Sequence, residues 1–343
     1  MISILINLAV ALSPVIFFLY SLVHLDSFKL VRLSVVMEML AIGALLAGVG
    51  YLINGAISTR FGIGMSDYTR FGAPAVEEVL KASALVALFW MNRIGFRVDA
   101  AIIGFAIGTG FSMAENAYLL HILTQANITV WIFRGFGTAM MHGGATAIFA
   151  VMAQTLIEKE PRLGPLDLLP GLAVAIFLHT AFNYYPHQVL LNTVASFIVL
   201  PTILLMIFAK SEEQIHTWLL TDYETHQHLL FEIESGEFVN DEAGRFITNL
   251  AQRFGDTTAA DMFEYVKLHT ELVLRAESID LTQERGGRVT LTGADDAKFD
   301  RLHALERKIG RTALAALGPH LKFSRKELFE IHELERLARA TPD

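Results

Sequence analysis

Seven stretches of mostly apolar residues before Lys210, each close to the length of a bilayer crossing, constrain this chain more than any other feature. A helix needs about 20 such residues to cross the hydrocarbon core, and they are found at 2–23, 33–53, 73–91, 100–123, 129–156, 168–185 and 189–209. The first stretch has no basic leader and no A-x-A-like cleavage site, so it reads as a retained span and not a removed signal peptide. With 53% hydrophobic and 18% charged residues, composition agrees. The expected fold is an all-α, polytopic transmembrane helical bundle of about seven spans over 1–209. A soluble, mainly helical domain is expected to follow over 210–343.

Charge sets an expected orientation. Lys29 and Arg32, Arg93 and Arg97, then Lys159 and Arg162 fall in alternate connections, whereas the intervening ones have only Arg60 and Arg70. Basic residues accumulate on the cytoplasmic side, which predicts the N-terminus outside, the tail inside and an odd number of crossings of the cell membrane. Ten of the 27 Lys and Arg and ten of the 35 Asp and Glu precede Lys210, so the whole net charge of −8 lies in the tail. That sign disfavours nucleic acid and anionic lipid as direct partners of the tail. Cysteine is absent, which excludes disulfides, thiolate metal sites and Cys nucleophiles.

Ionisable groups inside a span cost about 3 kcal/mol each on insertion scales and are functional candidates by default. The third span holds Glu77, Glu78 and Lys81; the fourth Glu115 and Asn116; the fifth Arg134 and His142; the sixth His179 and Asn183. Residues three or four apart share a helix face. Gly104, Gly108, Ser112 and Glu115 form one such stripe, Arg134, Thr138, His142 and Thr146 a second, and Gly171, Ala175, His179 and Asn183 a third. Each stripe mixes polar with small residues, which let helix backbones approach closely in lipid, so these faces are expected to meet each other. In the expected orientation the carboxylates and His179 lie about 6 to 12 Å below the outer surface, from a rise of about 1.5 Å per residue.

On these residues the chain resembles the PrsW family of intramembrane proteases, relatives of the CPBP and CAAX-processing proteases. The family pattern E-E-x-x-K reads here Glu77-Glu78-Val79-Leu80-Lys81, and F-x-x-x-E-N reads Phe111 to Glu115-Asn116. A His on the next span, His142, and a final H-x-x-x-N, His179 to Asn183, complete it. The match covers about 70–185. It departs from the family at Ala150, where a glycine is expected eight residues after the third-motif His. The resemblance implies cleavage, metal-free or metal-assisted, of a peptide bond in or next to the transmembrane segment of a single-span substrate. Bacterial members are similar to proteases that cut anti-sigma factors on the outer side.

The residue chemistry allows roles to be set beside that resemblance. Glu77 is the expected general base for water, with Glu78 turned about 100° away on the helix to orient Lys81 or a neighbouring span. His179 and Asn183, one turn apart, are expected to donate to a developing oxyanion. Glu115 and His142 either position the attacking water or, with His179, supply three ligands of a zinc ion with an open fourth position. No span carries H-E-x-x-H to favour the metal. Asn116 is expected to orient Glu115, and Arg134 to support the site or bridge helices.

In the tail, Leu302, Leu305 and Ile309, then Leu328, Ile331 and Leu334, keep helical spacing. Ser324 with Glu327 reads as a capping box, and Gly286-Gly287 as a turn. His216, His226 and His228 read as a solvated face, and the domain as a site for a regulatory protein or for self-association. The rival functional class is a proton- or cation-coupled transporter or channel, which uses intramembrane carboxylates and histidines too. Internal repeats and glycine-broken helix pairs would mark it, and the sequence shows neither.

Overall fold

The structure, a computed structural model, describes residues 2–26, 31–64, 67–123, 125–159, 164–184, 188–254, 256–285, 287, 293–321 and 325–340. Lys29, Arg162, Tyr185, Gly286 and Ser324, which carried expectations above, lie outside them. Every regular element among the described residues is helical. The chain divides into two compact units, Met1–Glu213 and Gln214–Asp343.

The first unit contains α1 (Ile2–Leu25), α2 (Leu33–Phe61), α3 (Ala73–Trp90), α4 (Arg97–Ile122), α5 (Ile128–Phe133), α6 (Met140–Lys159), α7 (Leu169–Tyr184) and the start of α8 (Val189–Ser235). Six segments are long and apolar enough to cross a membrane: Ile4–Leu25, Leu33–Phe61, Arg97–Ile122, Ile128–Lys159, Leu166–Tyr184 and Val189–Ser235. The seventh expected span is present as α3. It falls short on composition alone, because Glu77, Glu78 and Lys81 all lie within its 18 residues. The second span is longer than its hydropathy suggests. It runs past Ile53 to Phe61 and stops at Gly62, whose φ of 60° supplies the left-handed residue that ends many helices.

Two π-helical turns interrupt this pattern, Tyr68–Gly72 directly before α3 and Arg134–Ala139 between α5 and α6. Such turns widen the helix by one residue and recur at functional sites. A Cβ on Gly72 would strike the Tyr68 ring, at 2.6 Å from Cδ2, so the first turn needs glycine there.

Helix α4 is the centre of the unit. Its residues are buried without a break from Val98 to Ser112, and it packs most extensively against α6 and α2. Glycine makes both contacts backbone to backbone. A Cβ on Gly104 would sit 2.9 Å from Ala147 Cα and 2.9 Å from Ala150 Cβ, and one on Gly108 would collide with the His142 carbonyl. On the α2 side, a Cβ on Gly110 would collide with the Leu40 carbonyl and one on Gly43 with that of Ile107. The stripe Gly104, Gly108 therefore meets the stripe His142, Thr146, and Ala150 fills the place opposite Gly104.

At the start of α4, Asp99 accepts hydrogen bonds from the backbone N–H of Gly95 and Phe96, both at 3.0 Å. This satisfies donors a helix start leaves open and places a negative charge at the positive end of the helix dipole. Nearby, Arg93 grips Glu38 with two bonds of 3.0 and 3.2 Å, and Arg97 pairs with Glu158 at 2.6 Å. The start of α2, the start of α4 and the end of α6 thus share one end of the unit.

The second unit adds α9 (Glu242–Phe254), α10 (Asp256–Glu284), α11 (Gly293–Ile309), α12 (Arg311–Leu321) and α13 (Arg325–Ala340) to the end of α8. Leu305 and Ile309 pack with Ile247, Met262 and Val266, while Leu302, Ile331 and Leu334 join Leu272, Val273 and Phe299. Leu328 is the exception to the expected stripe, being exposed. His216 and His228 are exposed and pair with Glu284 and Glu232. The solvated face expected of all three histidines does not hold for His226, whose Nδ1 is 2.8 Å from Glu277 and Nε2 3.7 Å from Glu327 in the interior. Helix spacing alone gives no sign that α10 and α13 cover this position.

Glu330 is buried beside these groups. Burial first, and then the charges of Asp280, Glu277, Glu327 and Asp222, hold its carboxyl well above the usual carboxylate range. A group raised in the fold keeps its proton longer than in the unfolded chain, so stability falls as pH rises from the unfolded value towards the folded one.

Two outcomes are expected. Gly108→Ala lowers resistance of the purified protein to denaturant by about 1–3 kcal/mol through overpacking, whereas Gly48→Ala, whose Cβ would meet nothing within 4 Å, is neutral or mildly stabilising. Hydrogen exchange of the α10 and α13 amides in the full chain quickens as pH is raised above about 4.5 after correction for intrinsic rates, and Glu330→Gln flattens that trend.

Candidate active site

The polar residues of the spans converge on one cluster, and the most deeply buried of them bind each other first. Glu78 is 2% and Lys81 0% exposed, and neither charge is tolerable there alone. The Lys81 ammonium lies 2.6 Å from Glu78 Oε1, one turn back on α3. The same oxygen is 2.8 Å from His179 Nδ1 of α7, and Lys81 Nζ is 3.1 Å from His142 Nδ1 of α6. The ammonium also stands 5.0 Å from the centre of the Phe111 ring of α4. Glu78 and Lys81 thus tie α3 to α7 and α6, and the two imidazoles meet edge to face with centres 4.6 Å apart.

A second layer lies towards a cavity between α2, α3 and α4. Glu115 Oε1 is 3.0 Å from Arg134 Nη2 and its Oε2 is 3.2 Å from His142 Nε2. Arg134 in turn donates from Nε to Asn116 Oδ1 at 2.5 Å. Asn116 therefore orients Glu115 through the arginine instead of directly. Arg134 opens the π turn and His142 begins α6, and together they clasp one carboxylate from both sides.

Glu77 faces the cavity without an ion pair of that kind. Its Oε1 accepts from Asn54 Nδ2 at 3.2 Å, and Asn54 Oδ1 accepts from the Tyr68 hydroxyl at 2.9 Å. Its Oε2 is 3.9 Å from His179 Nε2, too far for a hydrogen bond and close enough for a bridging group. Neither Asn54 nor Tyr68 was expected. Asn54 lies one residue past the apolar run 33–53, and Tyr68 sits in the π turn that periodicity does not register. Gly72, forced by the Tyr68 ring, was the readable trace.

One residue is placed apart from the rest. Asn183 donates from Nδ2 to the backbone carbonyl of Thr69 at 3.1 Å, so its amide braces the first π turn. Glu77, Glu78, Lys81, Glu115, Asn116, Arg134, His142 and His179 all belong to the continuous network.

Donor chemistry bears on a metal ion. Ligand atoms of Glu77, His142 and His179 lie within 4.8 Å of one another, a set of oxygen and nitrogen donors that suits zinc. Glu77 takes the position that spacing gave to Glu115, which is engaged by Arg134. His179 already has the outer partner that ligating histidines usually have, with Nδ1 held by the Glu78 carboxylate and Nε2 directed at Glu77. His142 would be the third donor, its nitrogens now 3.2 Å from Glu115 and 3.1 Å from Lys81.

Among known proteins, the model of the PrsW family intramembrane metalloprotease matches residues 32–209, just over half of the 343 residues. The matched range includes every residue of the cluster. No curated protein and no solved structure matches the chain.

Lys81→Met leaves Glu78 buried without its ammonium. Breaking a buried pair in this way costs about 3–5 kcal/mol, read as a lower denaturation midpoint in detergent. The double change Glu78→Gln, Lys81→Met recovers part of that loss.

Proposed function

Given that this chain belongs to the PrsW family of intramembrane metalloproteases, and is therefore a multi-pass membrane protease acting on a membrane-embedded substrate, we propose that it cuts a single-span protein by water activated between Glu77 and His179. The observation that carries this reading is the pair Glu77 Oε2 and His179 Nε2, facing each other across 3.9 Å beside a cavity that Glu77 and Glu115 line.

Glu77 receives the proton from the attacking water. The Asn54 amide that donates to it is neutral, and a carboxylate has oxygen lone pairs enough to accept from water as well. His179 serves the carbonyl oxygen as an imidazolium, with Nδ1–H given to Glu78 and Nε2–H donated to the oxygen as negative charge develops there. Glu77 then hands its proton to the leaving amine, and the peptide bond is exchanged for a carboxylate and an amine. Arg134 pairs with Glu115 and holds it in place on the cavity wall. Asn183, holding the Thr69 carbonyl, positions the π turn before Glu77 and joins the oxyanion site only by releasing it.

Glu77, His142 and His179 would hold a zinc ion, which when bound lowers the pKa of its water and polarises the scissile carbonyl. With Glu77 engaged as a ligand, Glu115 is the carboxylate left on the cavity wall to receive the proton. The seating of His179 between Glu78 and Glu77 favours this second form.

The site lies a few residues from the expected outer ends of α3, α4 and α7, which supports cleavage near the outer face of the cell membrane with the N-terminus outside. An anti-sigma-factor-like substrate suits that placement. The second unit, on the inner side, is read as regulatory or self-associating.

Glu77→Gln abolishes cleavage of a reconstituted single-span substrate, by at least about 100-fold for a lost general base, without loss of membrane insertion. Zinc analysis of the same purified proteins separates the two forms. Zinc present in wild type and lost in Glu77→Gln and His179→Ala, with cleavage stopped by chelator, marks the metal form. Full activity in chelator marks the metal-free one. Unchanged cleavage by Glu77→Gln refutes both, and liposome flux without peptidase activity favours a transporter.

A further inference from the structure

We propose that the cavity beside Glu77 is a subsite for one large apolar side chain of the substrate, next to the bond that is cut, and that Gly48 sets the size accepted. This rests on the hydrolase reading and adds a substrate preference to it. The cavity has a volume of about 450 Å³, roomy enough for a large side chain, and two of its lining residues are the carboxylates Glu77 and Glu115.

Part of the lining shared with those carboxylates is made of very small residues. Ala44, Ala47 and Gly48 of α2 and Ala114 of α4 form it, and on α2 these positions fall on one face by their spacing. Two other glycines of α2 are accounted for by the chain's own packing, whereas Gly55, which lines the same cavity two turns further on, is as open as Gly48. A Cβ on Gly43 would strike the Ile107 carbonyl, and one on Gly50 would lie 3.5 Å from Leu80 Cδ1. At Gly48 a Cβ would meet nothing within 4 Å. Glycine inside a helix is unfavourable relative to alanine, and no neighbour in the chain requires it at this position. The space it leaves belongs to the same cavity that Glu77 and Glu115 line.

Polarity sets the class of occupant. The cavity has no basic residue in its lining, and two acidic ones, so an acidic side chain is repelled. Asn54 and Tyr68 are engaged with Glu77 and each other. The Tyr51 and Tyr118 hydroxyls bond across the edge of the cavity at 2.8 Å, joining α2 to α4. Apart from Thr69, the rest of the lining is aliphatic or aromatic carbon, which favours a leucine-, methionine- or phenylalanine-sized group.

The test uses a single-span peptide in phosphatidylcholine vesicles, with residues within three of the cut changed one at a time from Leu to Ala. At one of these positions wild type prefers Leu by about 10- to 200-fold in kcat/KM, the discrimination a hydrophobic pocket gives. Gly48→Leu abolishes or reverses that preference while still cleaving the Ala peptide, which also shows that the variant folds. Because the chain has no cysteine, a second arm reads occupancy without turnover. In Glu77→Gln, Gly48→Cys reacts with maleimide slowly when the Leu peptide is present and quickly without it, while Leu45→Cys, at a 69% exposed position outside the cavity, is unaffected. Protection without any cleavage by the otherwise wild-type protein upholds the subsite and faults the hydrolase reading. A Leu preference that survives Gly48→Leu, or a Gly48→Cys reaction the peptide does not slow, overturns the subsite with proteolysis intact. Slow reaction in vesicles lacking peptide identifies a lipid chain as the occupant and overturns it as well.

Discussion

A carboxylate and an ammonium sunk among helices that cross a membrane must neutralise each other, and the pair Glu78–Lys81 does so at 2.6 Å. Charges so placed are costly to bury and more costly to separate. Because each partner also holds an imidazole from another helix, the pair fixes α3, α6 and α7 relative to one another. The reacting groups then follow from this arrangement. His179 has one nitrogen committed to Glu78, which leaves the other turned towards Glu77, and Glu77 is left facing the cavity.

The second requirement is closeness. His142 reaches Lys81 and Glu115 only because α6 lies against α4 with no side chain between them at Gly104 and Gly108. In a bilayer, where burying apolar area gives no advantage over lipid, such close backbone packing is a main source of association. Gly104 and Gly108 lie on the same stripe as Glu115, so the close packing of α4 and part of the polar network share one helix face.

That stripe was readable from spacing, and so were the helical class, the polar residues and the meeting of the fourth and fifth spans. Hydropathy located α3 with the other spans, although its Glu77, Glu78 and Lys81 lower its apolar content, and Glu78 and Lys81 neutralise one another in a way no window average records. It ended α2 too early and so hid Asn54, because the polar end of that helix is supported by Glu77 and Tyr68 instead of by apolar content. The π turns escaped a 3.6-residue period altogether. Asn183 lies on the expected face, yet whether its amide turns to the cavity or to the Thr69 carbonyl depends on a neighbour 114 positions away. His226 shows the same limit in the second unit.

The backbone contact along α4 also bears on how such a chain can vary through descent. One residue inserted between Gly108 and Glu115 would turn everything beyond it by about 100°, taking the glutamate out of reach of both Arg134 and His142 while leaving each amino acid intact. Drift by replacement stays open at the less buried positions near the end of this helix, and drift by length is closed.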